Sequence, residues 1–107
     1  MNLNITFDGL EHSEALVNHA QEKFNHVWEV FGHFKEPLVA RLVINHVKHD
    51  YTVELNLSAA GFHENFHRSG RDVYAVLNEV MDIAFQEADK HKERIIDERK
   101  KHNPRPN

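Results

Sequence analysis

Apolar residues in the last third of the chain recur at helical spacing. One row is Val73, Leu77, Val80, Ala84 and Ala88, and a second is Tyr74, Leu77, Met81, Phe85 and Ala88. Steps of three and four place both rows on one broad stripe, which predicts an α-helix and not a strand. Gly70 permits a turn ahead of it. Asp72 can accept hydrogen bonds from the first free N–H groups, and its charge suits the positive end of the helix dipole. Beyond Ala88 the apolar pattern thins to Lys90-His91-Lys92-Glu93-Arg94 and then Arg99-Lys100-Lys101-His102. The pattern predicts a helix rooted in a core at its start that ends as a solvated, mostly basic rod.

Earlier in the chain, Leu3, Ile5 and Phe7 alternate with Asn4 and Thr6, a short half-buried strand broken by Asp8-Gly9. Ser13 suits an N-cap, with Glu14 in the first turn. Leu16, Ala20, Phe24, Val27 and Phe31 then repeat at helical steps, with Trp28 widening the apolar face and Gly32 as the stop. After Pro37 the run Leu38–Ile44 is almost continuously apolar, which predicts a central or well-covered strand. Lys48-His49-Asp50 forms a polar turn. Tyr51, Val53, Leu55 and Leu57 alternate strictly with polar residues, Ala60-Gly61 turns, and Phe62 and Phe66 mark a weaker fourth strand. The expected fold class is α+β. It is a βαβββα two-layer domain over residues 1–102, a four-stranded, mostly antiparallel sheet with two helices packed on one face. Residues 103–107, Asn-Pro-Arg-Pro-Asn, are expected to be a disordered tail.

Composition narrows the chemistry. The 107 residues contain no cysteine, which excludes disulfides, thiolate metal sites and cysteine nucleophiles. No apolar run reaches the roughly 18 residues of a membrane span, and the N-terminus lacks the basic and apolar segments of a signal peptide. A cytoplasmic protein with no membrane partner is expected. Net charge is −4, but it is unevenly spread. From Lys90 onward seven basic residues face three acidic ones, +4, so the remainder carries −8. A basic tail on an acidic body is compatible with docking onto nucleic acid.

No enzyme is expected. The chain has no GxGxxG, Walker, GxSxG or HExxH sequence, and a turn accounts for each of its four glycines. No cofactor or small-molecule substrate is implied. His12, His19, His26 and His33 recur every seven residues. Residues two turns apart lie about 10 Å from each other, too far to share one zinc ion without a third element. Lys23 between them opposes a metal as well. Ordinary surface histidines on a polar face account for the spacing. Alternatively, histidines standing in for lysine on a phosphate-facing surface would strengthen binding in mild acid, because the unperturbed side chain gains a proton near about pH 6.5. Lys90 and Arg94 share a helix face, with Lys92 about 160° away. As residue types they fit an ordinary solvated helix end as well as an RNA contact.

The run Asp72-Val73-Tyr74-Ala75-Val76-Leu77-Asn78, followed at a matching interval by Lys90-His91-Lys92, resembles the ribosome hibernation-promoting factor family. That family includes protein Y and the sigma-54 modulation proteins. Leu3-Asn4-Ile5-Thr6, Ser13-Glu14-Ala15-Leu16, Lys23-Phe24 and Tyr51-Thr52-Val53-Glu54 also match, so the resemblance spans residues 1 to about 102. It implies a short-form translation inhibitor of stress or stationary phase. Such a factor binds small-subunit, 16S-type rRNA near the decoding centre and covers the mRNA and tRNA sites. A companion dimerisation factor is a possible further partner. The resemblance carries Lys23, Lys90, Lys92 and Arg94 over as phosphate contacts, with His26 where a second lysine would follow. Arg99, Lys100 and Lys101 extend the set beyond the best-matched core. Members commonly have further basic residues in the second helix, where this chain has Ile83, Gln86 and Glu87. The alternative is a non-ribosomal protein-binding or histidine- and metal-responsive module on the same fold.

Overall fold

The computed structural model describes residues 3–31, 38–59 and 61–101, the last seven through their backbone alone. In chain order the elements are β1 (Asn4–Asp8), α1 (Glu14–Phe31), β2 (Val39–Val47), β3 (Asp50–Ala59), β4 (Phe62–Gly70) and α2 (Val73–Lys101). The strands lie side by side in that same order. β1 runs parallel to β2, with Ile5 opposite Leu42, because α1 carries the chain back across the sheet between them. The other two pairs are antiparallel hairpins. The α+β, βαβββα expectation holds.

Period-two patterning creates the buried sheet face. Ala40, Leu42 and Ile44 of β2, Val53, Leu55 and Leu57 of β3, and Phe62 and Phe66 of β4 all point into one cluster. Leu16, Ala20, Phe24 and Val27 of α1 meet them there, with Leu77, Val80, Met81 and Ala84 of α2. Trp28 packs against the same cluster while staying half-buried. β2 is central in its hydrogen bonding, but helices cover only one of its faces. Its apolar run looks continuous because Val39 and Val43 alternate with the core residues and face away, and Val39 is 53% exposed.

Both helix starts follow the expected caps. Ser13 Oγ accepts from Leu16 N–H at 3.2 Å. Asp72 Oδ1 accepts from Tyr74 N–H at 3.0 Å and Ala75 N–H at 3.4 Å. Replacing Asp72 with alanine removes both bonds and the dipole partner. It is expected to cost about 1 kcal/mol, lowering the melting midpoint by roughly 4–8 °C in a thermal scan followed by circular dichroism.

Two expectations change. Gly70 is the last residue of β4, not a turn glycine: a Cβ there would stand 2.9 Å from Val76 Cγ2, so what it permits is close approach of the sheet to α2. The second apolar row of α2 is only partly buried. Tyr74 is 39% and Phe85 42% exposed, while Val76, outside both rows, is in the core. Gly32, His33, Pro37, Ala60, His102 and the 103–107 tail lie outside the described residues.

The uncovered sheet face carries a ladder of polar pairs. Thr52 and Ser69 hydroxyls lie 2.9 Å apart, Ser58 Oγ is 2.8 Å from His63 Nδ1, and Asn65 donates to Asn56. These cross-strand pairs satisfy one another, which is the pattern of a solvated sheet face.

Candidate nucleic-acid interface

Helix spacing on α1 puts His19, Lys23 and His26 on one side at i, i+4 and i+7. Spacing on α2 puts Tyr74, Asn78, Met81, Asp82 and Phe85 along a matching row. The two rows meet in a seam between the helices. At one end His19 Nε2 lies 2.7 Å from Asn78 Oδ1, and its ring meets Tyr74 edge-on at 5.1 Å between centroids. At the other end Lys23, His26, Met81, Asp82 and Phe85 line a shallow groove. Lys23 is half-buried and His26 exposed.

Five residues beyond Phe85, about 8 Å further along α2, Lys90 and Arg94 line a second, open depression together with Glu87 and Glu93. Lys90 Nζ is 3.4 Å from Glu87 Oε1. Lys90 is well exposed and Glu87 half-buried, so this partly solvated pair contributes little to stability and opens readily for another anion. Lys92 is half-buried on a different side of the helix. The structure thus joins Lys23 with His26 and Lys90 with Arg94, and leaves Lys92 apart from both pairs. Arg99, Lys100 and Lys101 have backbone in α2, and their side chains lie outside the described residues.

Carboxylates accompany the cations. From Val73 to Arg94, α2 carries Lys90, Lys92 and Arg94 against Glu79, Asp82, Glu87, Asp89 and Glu93. Any polyanion held here is held by local contacts and not by a broad positive field. Ile83 packs against the core, so a cation at that position would have to leave the apolar cluster. Gln86 is exposed and Glu87 half-buried.

The histidines are dispersed. His12 Nε2 lies 2.7 Å from Glu14 Oε1, His46 stacks on Tyr51 at 4.2 Å, and His91 lies against Phe62 at 4.9 Å. Among the described residues no three histidine or carboxylate side chains are grouped to hold a metal ion, and no helix is long and apolar enough to cross a membrane.

Sequence reasoning missed the exposed rings of the seam. The available signal was position: Tyr74 and Phe85 stand eleven residues apart, three turns along one edge of the stripe, and Asp82 and Gln86 mark that edge as polar. Missed too was Arg68, whose Nε lies 3.5 Å from Glu79 Oε1 and ties β4 to α2.

Comparison with known proteins agrees with this architecture. Protein Y N-terminal domain from Thermus thermophilus superposes with a TM-score of 0.71 at 16% identity, covering 85% of this chain and 99% of that one. A ribosomal subunit interface protein from Coxiella burnetii superposes at 0.75 with 18% identity, covering 87% and 99%. No sequence among curated proteins matches. The pattern of a family of non-catalytic proteins, Sigma 54 modulation protein / S30EA ribosomal protein, matches residues 3–96. With almost the whole folded body inside that match, the chain belongs to the Sigma 54 modulation protein / S30EA ribosomal protein family.

Proposed function

We propose that this protein is a ribosome-associated translation inhibitor of the hibernation type. It binds small-subunit rRNA near the decoding centre and occupies the space that mRNA and tRNA need. The observation that carries this reading is the family match over residues 3–96. The structural likeness to a protein described as a ribosomal subunit interface protein fits it.

The mechanism is occupancy, with no bond made or broken. A rigid two-layer body is placed in a channel by contacts to phosphates, and RNA held through its backbone and shape needs no sequence readout. Lys23 and His26 on α1 and Lys90 and Arg94 on α2 supply two such contact areas. Lys92 reaches phosphate on another side of the helix. Arg99, Lys100 and Lys101 extend the contact past the body.

The test is competition on purified small subunits. Pre-bound protein is expected to reduce mRNA and initiator tRNA binding in filter assays and to slow a cell-free translation reaction in proportion to its occupancy. Unchanged mRNA and tRNA binding on subunits that carry the protein would refute occupancy of those sites.

A further inference from the structure

The groove between α1 and α2 has a composition that phosphate binding alone does not require. Its outer wall is the Phe85 ring, 42% exposed in the middle of a helix whose neighbours Met81 and Ala84 are buried. Lys23 and His26 stand across from it, and Asp82 lies on the same wall one turn earlier. We propose that this groove is a nucleobase pocket. An unpaired rRNA base stacks on Phe85, its phosphate lies against Lys23 and His26, and its exocyclic amino group donates a hydrogen bond to Asp82. The proposal rests on the ribosomal reading above and names the chemistry of one of its contacts.

Three observations select this occupant. A phosphate alone would be opposed by the Asp82 carboxylate, whereas a base bearing an amino donor uses that carboxylate as its acceptor. A docked protein would need a contiguous apolar patch. Among the described residues the only large exposed apolar side chains on the helical layer are Phe85 and Tyr74, about 16 Å apart along α2. Tyr74 is already engaged edge-on by His19, which leaves Phe85 as the ring open to a ligand. That separation also exceeds the roughly 3.4 Å step between neighbouring bases, so the seam offers one stacking position and not a continuous platform. Aromatic stacking of a splayed base beside a cation is a general mode of single-stranded RNA recognition. An adenine, cytosine or guanine has the amino donor, and uracil does not.

The experiment compares the parent protein with Phe85→Ala, Phe85→Tyr and Lys23→Gln. The probes are purified small ribosomal subunits and fluorescent single-stranded A6, C6 and U6 RNA at low salt. Phe85→Ala is expected to weaken binding to both subunits and A6 or C6 by about tenfold, the range of one lost stacking contact, with an unchanged salt slope. Phe85→Tyr restores it. Lys23→Gln lowers the slope by about one, as loss of one phosphate contact does. The parent is expected to favour A6 and C6 over U6, and Asp82→Leu to erase that preference. Phe85 is surface-exposed, so an unchanged melting curve verifies the fold of each variant. If Phe85→Ala binds every probe as the parent does, the pocket is refuted while ribosome binding stands. If it weakens subunit binding but not RNA binding, the contact is to a ribosomal protein and the nucleobase assignment is overturned. A parent that binds no subunits refutes the ribosomal reading and the pocket together.

Discussion

Replacing Lys90, Lys92 and Arg94 together by glutamate is expected to abolish sedimentation with small ribosomal subunits at moderate salt while leaving a folded domain. Three phosphate neutralisations are lost, which removes roughly two to three units from the slope of log affinity against log salt. The carboxylates put in their place repel the same phosphates, so the loss in affinity should exceed about a hundredfold. The fold should survive because the last buried residue of α2 among those described is Ala88, and Lys90 and Arg94 are exposed. Some cost remains. Glu87 loses its partner at 3.4 Å and faces a new carboxylate at i+3, beside Glu93, a repulsion of a few tenths of a kcal/mol per pair. A melting midpoint lowered by a few degrees accommodates this. Sedimentation of the triple variant with subunits as before would remove these side chains from the interface.

Phe24→Ala is expected to have the largest effect on stability. Phe24 is 0% exposed in the core cluster that α1, the sheet and α2 share. Deleting a buried phenylalanine costs about 3–5 kcal/mol through lost transfer and the remaining cavity. A domain of this kind has roughly 5–15 kcal/mol in total. The variant should therefore melt about 15 °C or more below the parent and unfold at visibly lower urea, with ribosome binding lost only as the folded fraction falls. A midpoint within about 3 °C of the parent would mean that α1 does not seat its Phe24 in the core. Lys23, the neighbouring position, is half-buried beside the seam; its variant is expected to change RNA binding and leave melting almost untouched. Adjacent residues on one helix are thus expected to separate the fold from the proposed interface.

Almost all of the fold was legible because burial in a two-layer domain imposes its period directly on the chain. Period two in Val53, Leu55 and Leu57 and periods three and four in α1 gave element type, order and packing face. Caps at Ser13 and Asp72 fixed the helix starts, since few other residue types accept from free N–H groups there. Register was not legible. Nothing local in Asn4–Asp8 says that it pairs in parallel with β2, which follows from the length of the crossover through α1. Gly70 was misread because a glycine needed for close approach looks the same in sequence as one needed for a turn.

The interface was less legible than the core. Cations are single letters without a direction, and the same Lys90 serves an ion pair with Glu87 or a phosphate. The placement of Lys23 and His26 opposite Phe85 depends on how α1 and α2 cross, which no spacing within either helix encodes. Phe85 misled for a related reason. It keeps the helical period of the stripe but falls at its edge, where the neighbouring helix leaves the ring half open.

On the proposed function, a few positioned positive side chains grip folded rRNA. The affinity of the purified protein for small ribosomal subunits, measured across a series of salt concentrations, tests this most directly. Binding at low salt that declines linearly on logarithmic axes, with a slope of about −3 to −6 for four to seven phosphate contacts, is the predicted result. Absence of binding in dilute buffer, or an affinity indifferent to salt, would contradict it.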